Sequence, residues 1–481
     1  MTPMLRDVSS NPSAETQTRR SATTPAALPP IAGPAIERLI RSPQALIDMT
    51  RTYGSPLNVV LPHVLPENVE RLRAVLRRHE VQYHLFYGAK VNKSPGLVRA
   101  AVGADIGVDV SSLGEMRDAL RAGIDPARLC ATGPAKTRVF HMALVANGAL
   151  ISVDSIEEFG DLEAVVREVD PARPVRVLLR YRPSASGASR FGMAEAELQA
   201  CLARLAQKRH AFSFEGFHFH LSGYRHESRV TAVCELVPFL DLARSMRLDP
   251  TVIDIGGGLP VRYVERDAYD AFLEAQNAGH YRNGNVPASF YPYGGPIDPD
   301  AWLDRLLGSP CMGGRSVAGY LKAQGLTLAI EPGRSLADQT AISIFRVTRV
   351  KAMAAGEAVI FVEGSSFSAC ETWFGSEFLV DPIHILASHG RERDAVPTRG
   401  WIAGHSCLEE DVMTNRWLAF PARPEAGDLL VYANTAGYQM DLLENEFHRH
   451  PVPRRIAVTY DAAGGFDITP DDRMEKWNDF D

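Results

Sequence analysis

Between residues 83 and 331 eight short apolar, β-branched runs recur, at 83–90, 105–110, 129–132, 150–153, 175–181, 214–220, 251–255 and 326–331. Amphipathic stretches such as 112–121 and 193–208 separate them. Parallel strands cannot be joined by a tight turn and need a crossover of about a dozen residues or more, which these spacings supply. Eight such units predict an α/β fold built on a closed (β/α)8 barrel. An earlier helical stretch, 66–78, is placed to close the bottom of that barrel. Beyond Arg334 the rhythm changes to strands without long helices, at 341–353, 358–362, 401–403, 428–433 and 454–459, which predicts a second, mostly β, barrel-like domain. The expected division is a barrel over 63–336 and a C-terminal β domain over 337–481, with 35–62 contributing an extended piece, 57–61, to the latter. Residues 1–34, rich in Ser, Thr, Pro and Ala and lacking an apolar segment, read as a disordered tail and not a signal peptide.

Composition narrows the class. A chain of 481 residues, 45% hydrophobic and 23% charged, has ample material for two cores and the balance of a folded protein. Its formal charge of -7 leaves no basic footprint for nucleic acid, and no apolar run reaches the ~18 residues that span a bilayer. The six cysteines, Cys130, Cys201, Cys234, Cys311, Cys370 and Cys407, lack CxxC spacing and suggest neither a zinc site nor a disulfide framework, so a reducing cytoplasm is expected.

Active sites of such barrels lie at the C-terminal ends of the strands. That rim here offers Lys90, Asp109, Lys136, Asp154 with Ser155, Arg180, His220, the run Gly256-Gly257-Gly258, and Glu331 with Arg334. Asp154-Ser155 reads equally as the N-cap of the next helix. The glycines fit either a tight turn or a phosphate cradle, and their place after the seventh strand suits the second. Lys90 ends an apolar strand, where an amine either pairs with a carboxylate, Asp109 being in reach, or has its pKa depressed and can form a Schiff base. Lys93, before Pro95, reads as an exposed loop residue. His218 and His220 alternate with Phe217 and Phe219 and so share a face, but no third ligand of metal spacing follows, and His220 can instead stack on a planar cofactor. Glu331, ending a buried strand, needs a partner, either Arg334 or a pyridinium N–H.

Eight motifs in order resemble the fold-type III pyridoxal-phosphate decarboxylases, the ornithine/diaminopimelate/arginine decarboxylase family, over about residues 55–459. They are Tyr87-Gly-Ala-Lys-Val-Asn92, Asp109-Val-Ser-Ser-Leu-Gly-Glu115, Ser189-Arg-Phe-Gly192, His218-Phe-His220, Asp254-Ile-Gly-Gly-Gly258, Glu331-Pro-Gly-Arg334, Cys407 through Asp411, and Ala436-Gly-Tyr438. The resemblance implies that Lys90 carries pyridoxal 5'-phosphate, that His220 stacks on its ring and that Glu331 bonds its nitrogen. Gly256, Gly257, Gly258, Gly333, Arg334 and Tyr438 would hold the phosphate, with Asp109 beside the lysine. It also implies a head-to-tail homodimer in which Cys407 enters the partner's site as proton donor or closure. Racemases of this fold place an arginine where Glu331 stands. The glutamate therefore favours decarboxylation, with racemisation or a catalytically silent homologue as the alternatives.

Departures bear on the substrate. The usual phosphate-binding serine after the histidine is displaced, and Ser222 is the nearest replacement. The acid that follows the cysteine and grips a distal amine is here Leu408, leaving Asp381 or Glu409 to take over, with Arg180 as a further substrate contact. This predicts an unusual or derivatised amino acid of specialised metabolism. The stretch between Gly256 and Glu331 is longer than the family pattern, and its extra segment, 277–298, reads as a lid or a disordered insertion.

Overall fold

The computed structural model describes residues 25–471 apart from 296, 369–370, 388–395, 444–445 and 462. Among the described residues seventeen strands follow in chain order. β1 is Leu57–Val60; the barrel strands are β2 Tyr83–Gly88, β3 Gly107–Val110, β4 Leu129–Ala131, β5 Leu150–Val153, β6 Val175–Arg180, β7 Phe212–His218, β8 Val252–Asp254 and β9 Thr327–Ile330. The rest are β10 Ala341–Ala352, β11 Glu357–Val362, β12 Ile383–Ile385, β13 Thr398–Ala403, β14 Leu418–Phe420, β15 Leu429–Ala433, β16 Arg454–Tyr460 and β17 Phe466–Pro470. β2 to β9 pair in parallel, and β2 also pairs with β9, so the barrel closes.

Short polar caps start the intervening helices. Ser112, Thr137 and Ser155 each accept a hydrogen bond from the backbone N–H three residues on, fixing helices Leu113–Arg121, Arg138–Asn147 and Ile156–Val169. The remaining strands form a nine-stranded sheet in which β1 runs antiparallel to β10 and parallel to β16. A segment that precedes the barrel in the chain thereby ties the sheet's two halves together.

Two expectations need correction. Residues 25–34 are not a free tail: Leu28 is buried in the β domain's core, and the Ile31 N–H donates to Tyr263 O at 2.7 Å. Residues 1–24 lie outside the described residues. The 277–298 segment is neither a free lid nor disordered over its described residues. Tyr281 and Tyr293 are buried, the Tyr263 and Tyr293 rings stack with centroids 5.0 Å apart, and the Arg282 N–H donates to Asn415 O at 2.8 Å. Aromatic burial pins this segment between barrel and sheet.

Candidate active site

β2 ends at Gly88, and a 3-10 turn, Ala89–Val91, carries Lys90 over the barrel mouth. Its Nζ lies 3.1 Å from Asp109 Oδ2 and 3.9 Å from Glu331 Oε2. The Lys90 side chain is 35% exposed against 0% and 1% for the two carboxylates, so a molecule in the mouth reaches the amine first. Thr132 Oγ1 donates to the other Asp109 oxygen at 2.6 Å, holding that carboxylate on the lysine. Burial alone would depress the Lys90 pKa, as expected from strand logic, but the Asp109 and Glu331 carboxylates outweigh it and hold the ammonium above its ordinary value. Of the two states expected for Lys90, the folded chain shows the ion pair with Asp109 and not a depressed pKa.

Glu331 follows β9 and is buried, and among the described residues neither of its oxygens accepts a hydrogen bond. Burial first, then the Asp109 and Asp254 carboxylates, push its carboxyl well above the usual range. Asp254 closes β8, is raised to about 7 mainly by burial, and accepts from the Gly256 N–H at 2.8 Å. Arg334, the simpler partner for Glu331, forms no ion pair with it among the described residues. Its guanidinium carbon lies 3.7 Å from the Tyr291 ring centroid and 4.9 Å from that of Tyr438, and its Nη1 donates to Tyr224 Oη at 3.3 Å. The Tyr438 N–H donates to Val91 O at 2.9 Å, which sets that tyrosine next to Lys90.

The glycines after β8 form a cradle that side chains would fill. Gly256 and Gly258 have φ of 67° and 84°, and a Cβ on Gly257 would stand 2.6 Å from Glu331 O. The Gly257 N–H donates to His220 Nδ1 at 3.3 Å, and burial lowers the His220 pKa to about 3, so this ring is neutral. Gly333 packs on Val91, where a Cβ would come within 3.1 Å of the valine's own. Ser222 is exposed on a loop that buried Arg229 holds by donating to Leu221 O and Gly223 O.

Other candidates fall elsewhere. Arg180 is buried and pairs with Asp154 at 2.8 Å, so it is not free for substrate. Ser155 takes the cap and leaves Asp154 to that pair. Lys136, wholly buried, donates to Glu158, Gly133 O and Ser152 O, each at 2.7 Å, which makes it part of the scaffold. Lys93 is not an exposed loop residue but pairs with Asp441 at 3.7 Å. Asp381 is consumed by buried Arg416 and by the Leu28 N–H. Glu409 has an 87% exposed side chain and lies 3.6 Å from Arg282. Cys407 and Leu408 are exposed on the turn after β13, outside the hydrogen bonds and ion pairs of the Lys90 group. Tyr224 and Glu371 carry no local signal, because each acquires its place through contacts distant in sequence, whereas Tyr291 is visible in the sequence only as part of the extra 277–298 segment.

The model of the pyridoxal-dependent decarboxylase, pyridoxal binding domain, matches residues 66–281. Over 445 residues the chain is 54% identical to the uncharacterized protein y4yA of Sinorhizobium fredii, covering 92% of this chain and 96% of that one. It belongs to the fold-type III pyridoxal-phosphate decarboxylase family. Within that family it is 22% identical to the diaminopimelate decarboxylase of Staphylococcus aureus, covering 83% of this chain and 88% of that one. Among solved structures, the M. jannaschii diaminopimelate decarboxylase in complex with L-lysine superposes with TM-score 0.69 at 17% identity, covering 89% of this chain and 91% of that one. The Paramecium bursaria Chlorella virus arginine decarboxylase bound to agmatine gives 0.63 at 17% identity over 85% and 98%. The family's cofactor is pyridoxal 5'-phosphate. This decarboxylase-family site fits it: a reachable amine, a buried carboxylate whose two oxygens accept no hydrogen bond among the described residues, and a backbone cradle too tight for a Cβ stand at one barrel mouth.

Proposed function

We propose that the chain decarboxylates an amino acid, an unusual or derivatised one of specialised metabolism, with pyridoxal phosphate carried on Lys90. The observation that supports this most is Glu331, a buried carboxylate that accepts no hydrogen bond among the described residues and stands 3.9 Å from the exposed lysine of the same barrel mouth. Bound there, pyridoxal phosphate would supply an electron sink for the pair left on the α-carbon as CO2 departs. Glu331 would hold the proton at the ring nitrogen, and its burial would make that charge pairing strong. His220, tethered to Gly257, would contact the ring. The N–H groups of Gly256 to Gly258, with Gly333, Arg334, Tyr438 and Ser222, would bind the phosphate. Asp109, fixed by Thr132, orients Lys90 and is the base in reach when the ammonium gives up its proton. Cys407, exposed in the single chain, serves the partner's site in a cytoplasmic head-to-tail homodimer, where it returns a proton to the α-carbon.

The test is CO2 release by the cofactor-loaded enzyme across a panel of L- and D-amino acids and their conjugates. Stoichiometric CO2 and amine from at least one member is the expected result. Inversion of the α-carbon without loss of mass would instead make the enzyme a racemase.

A further inference from the structure

A cavity of about 380 Å³ opens beside the Lys90 group. Tyr438 belongs to both, since its backbone is bonded to Val91 while its side chain lines the cavity next to Arg334. Phe290 and Tyr291 of the 277–298 segment line it too, as do Phe367 and Phe374 of the β domain. Ser376 Oγ donates to Ser289 O at 3.0 Å and holds these two walls together.

Among the described lining residues the charged ones are Arg334 and Glu371. Arg334 is engaged by two tyrosine rings and by Tyr224, and forms no ion pair with Glu371. Glu371 Oε1 accepts from Tyr293 Oη and, at 3.0 Å, from Gln439 Nε2. Both donors are neutral. No hydrogen bond to Oε2 is present among the described residues, so an acceptor borders an aromatic-walled space. Burial raises the Glu371 carboxyl, and the Tyr293 hydroxyl, then the Arg334 charge across the cavity, then Gln439 pull it back. A further donor entering from the cavity would satisfy the group.

We propose that this cavity receives the substrate side chain and selects an aromatic or comparably bulky apolar one tipped by a hydrogen-bond donor, with Glu371 as the residue that reads the tip. This rests on the decarboxylase reading. The apolar walls favour ring burial, and a carboxylate tip meets Glu371 with like charge. The sites where an acid was expected from the sequence do not compete: Leu408 is apolar, Asp381 is consumed by Arg416, and Glu409 is exposed. The selected class therefore differs from an aliphatic side chain ending in both an ammonium and a carboxylate, such as that of diaminopimelate.

Three product-like amines on one scaffold test this by calorimetric titration of the cofactor-loaded enzyme: 4-hydroxy-, 4-methyl- and 4-carboxyphenethylamine. The hydroxyl compound is expected to bind about tenfold tighter than the methyl compound, the ratio that one charge-assisted hydrogen bond supplies, and the carboxylate weakest. In E371Q the single amide oxygen is claimed by Tyr293 and Gln439, which turns the NH2 toward the cavity. The hydroxyl can then only accept from a neutral NH2, so its preference is expected to fall well below the wild-type ratio and the carboxylate penalty to shrink. Equal affinities in the wild type, tightest binding of the carboxylate, or a hydroxyl preference that keeps its wild-type ratio in E371Q would each overturn the proposal. If E371Q does not fold, the wild-type ranking decides alone, because Glu371 is the acid among the described lining residues. Failure to release CO2 from any amino acid alongside the expected ranking would sink the decarboxylase reading and leave the pocket assignment standing.

Discussion

His218 Nε2 stands 3.3 Å from Glu331 Oε1 inside the barrel, and its other nitrogen shares a 2.7 Å hydrogen bond with Ser152 Oγ. Burial, reinforced by Arg180, pushes the imidazole well below its ordinary pKa, so it meets the carboxylate as a neutral group. Glu331 thus gains no charge pairing from His218, and its nearest cation is Lys90 Nζ, 3.9 Å from the other oxygen, so burial outweighs pairing and its carboxyl is held well above the usual range. Glu331→Gln is expected to lower the rate of CO2 release at least about a hundredfold while leaving stability in denaturant unchanged or improved. Retained activity with reduced stability would mean that Glu331 is structural.

The cradle after β8 makes a separable prediction. Gly257→Ala places a methyl 2.6 Å from Glu331 O, and backbone must shift to admit it. Overpacking of this kind costs about 1–3 kcal/mol, and the N–H groups that move are those assigned to the phosphate. Cofactor affinity, measured by titration of the cofactor's absorbance, is expected to fall about tenfold or more.

Lys136 tests the scaffold instead. It is wholly buried and pairs with Glu158, which also lies 3.0 Å from His141 Nε2. Lys136→Met leaves that carboxylate buried without its cation, at a cost of about 3–5 kcal/mol in denaturant unfolding. A loss below about 1 kcal/mol would show that the neighbouring His141 takes over the pairing.

Acid sensitivity follows from His220. Its folded pKa is about 3, against 6.5 for the ordinary group. The unfolded chain therefore binds one more proton between those values, and the histidine's contribution to stability, complete above pH 6.5, is lost as pH falls toward 3. His220→Asn lacks this term, so the wild type's advantage over it is expected to shrink by up to about 2 kcal/mol between pH 6.5 and 5. Parallel stability curves would contradict the buried, neutral imidazole.

The barrel is legible in the sequence because both faces of its strands are buried. Even β4, three residues long, reads as an apolar run, since Leu129, Cys130 and Ala131 are all fully covered. Strands β12 and β14 are just as short but are not flanked by periodic helices, and β17 is largely exposed, so none of the three stands out. Lys90, Asp109, His220 and Glu331 are legible because each ends or closely follows a strand, and barrel closure brings strand ends together. Asp381 misleads because its partner, Arg416, lies 35 residues further on and nothing nearby announces it. The 277–298 segment misleads for the same reason. Its tyrosines acquire meaning only when Tyr293 meets Tyr263, Phe378 and Glu371, contacts that no local pattern encodes.

The central claim is that Lys90 holds the cofactor, and borohydride reduction of the loaded enzyme followed by peptide mapping tests it most directly. A pyridoxyl label is expected on the peptide containing Lys90, and none in Lys90→Arg. Label on the Asp441-paired Lys93, or no stable label on any lysine, would contradict it.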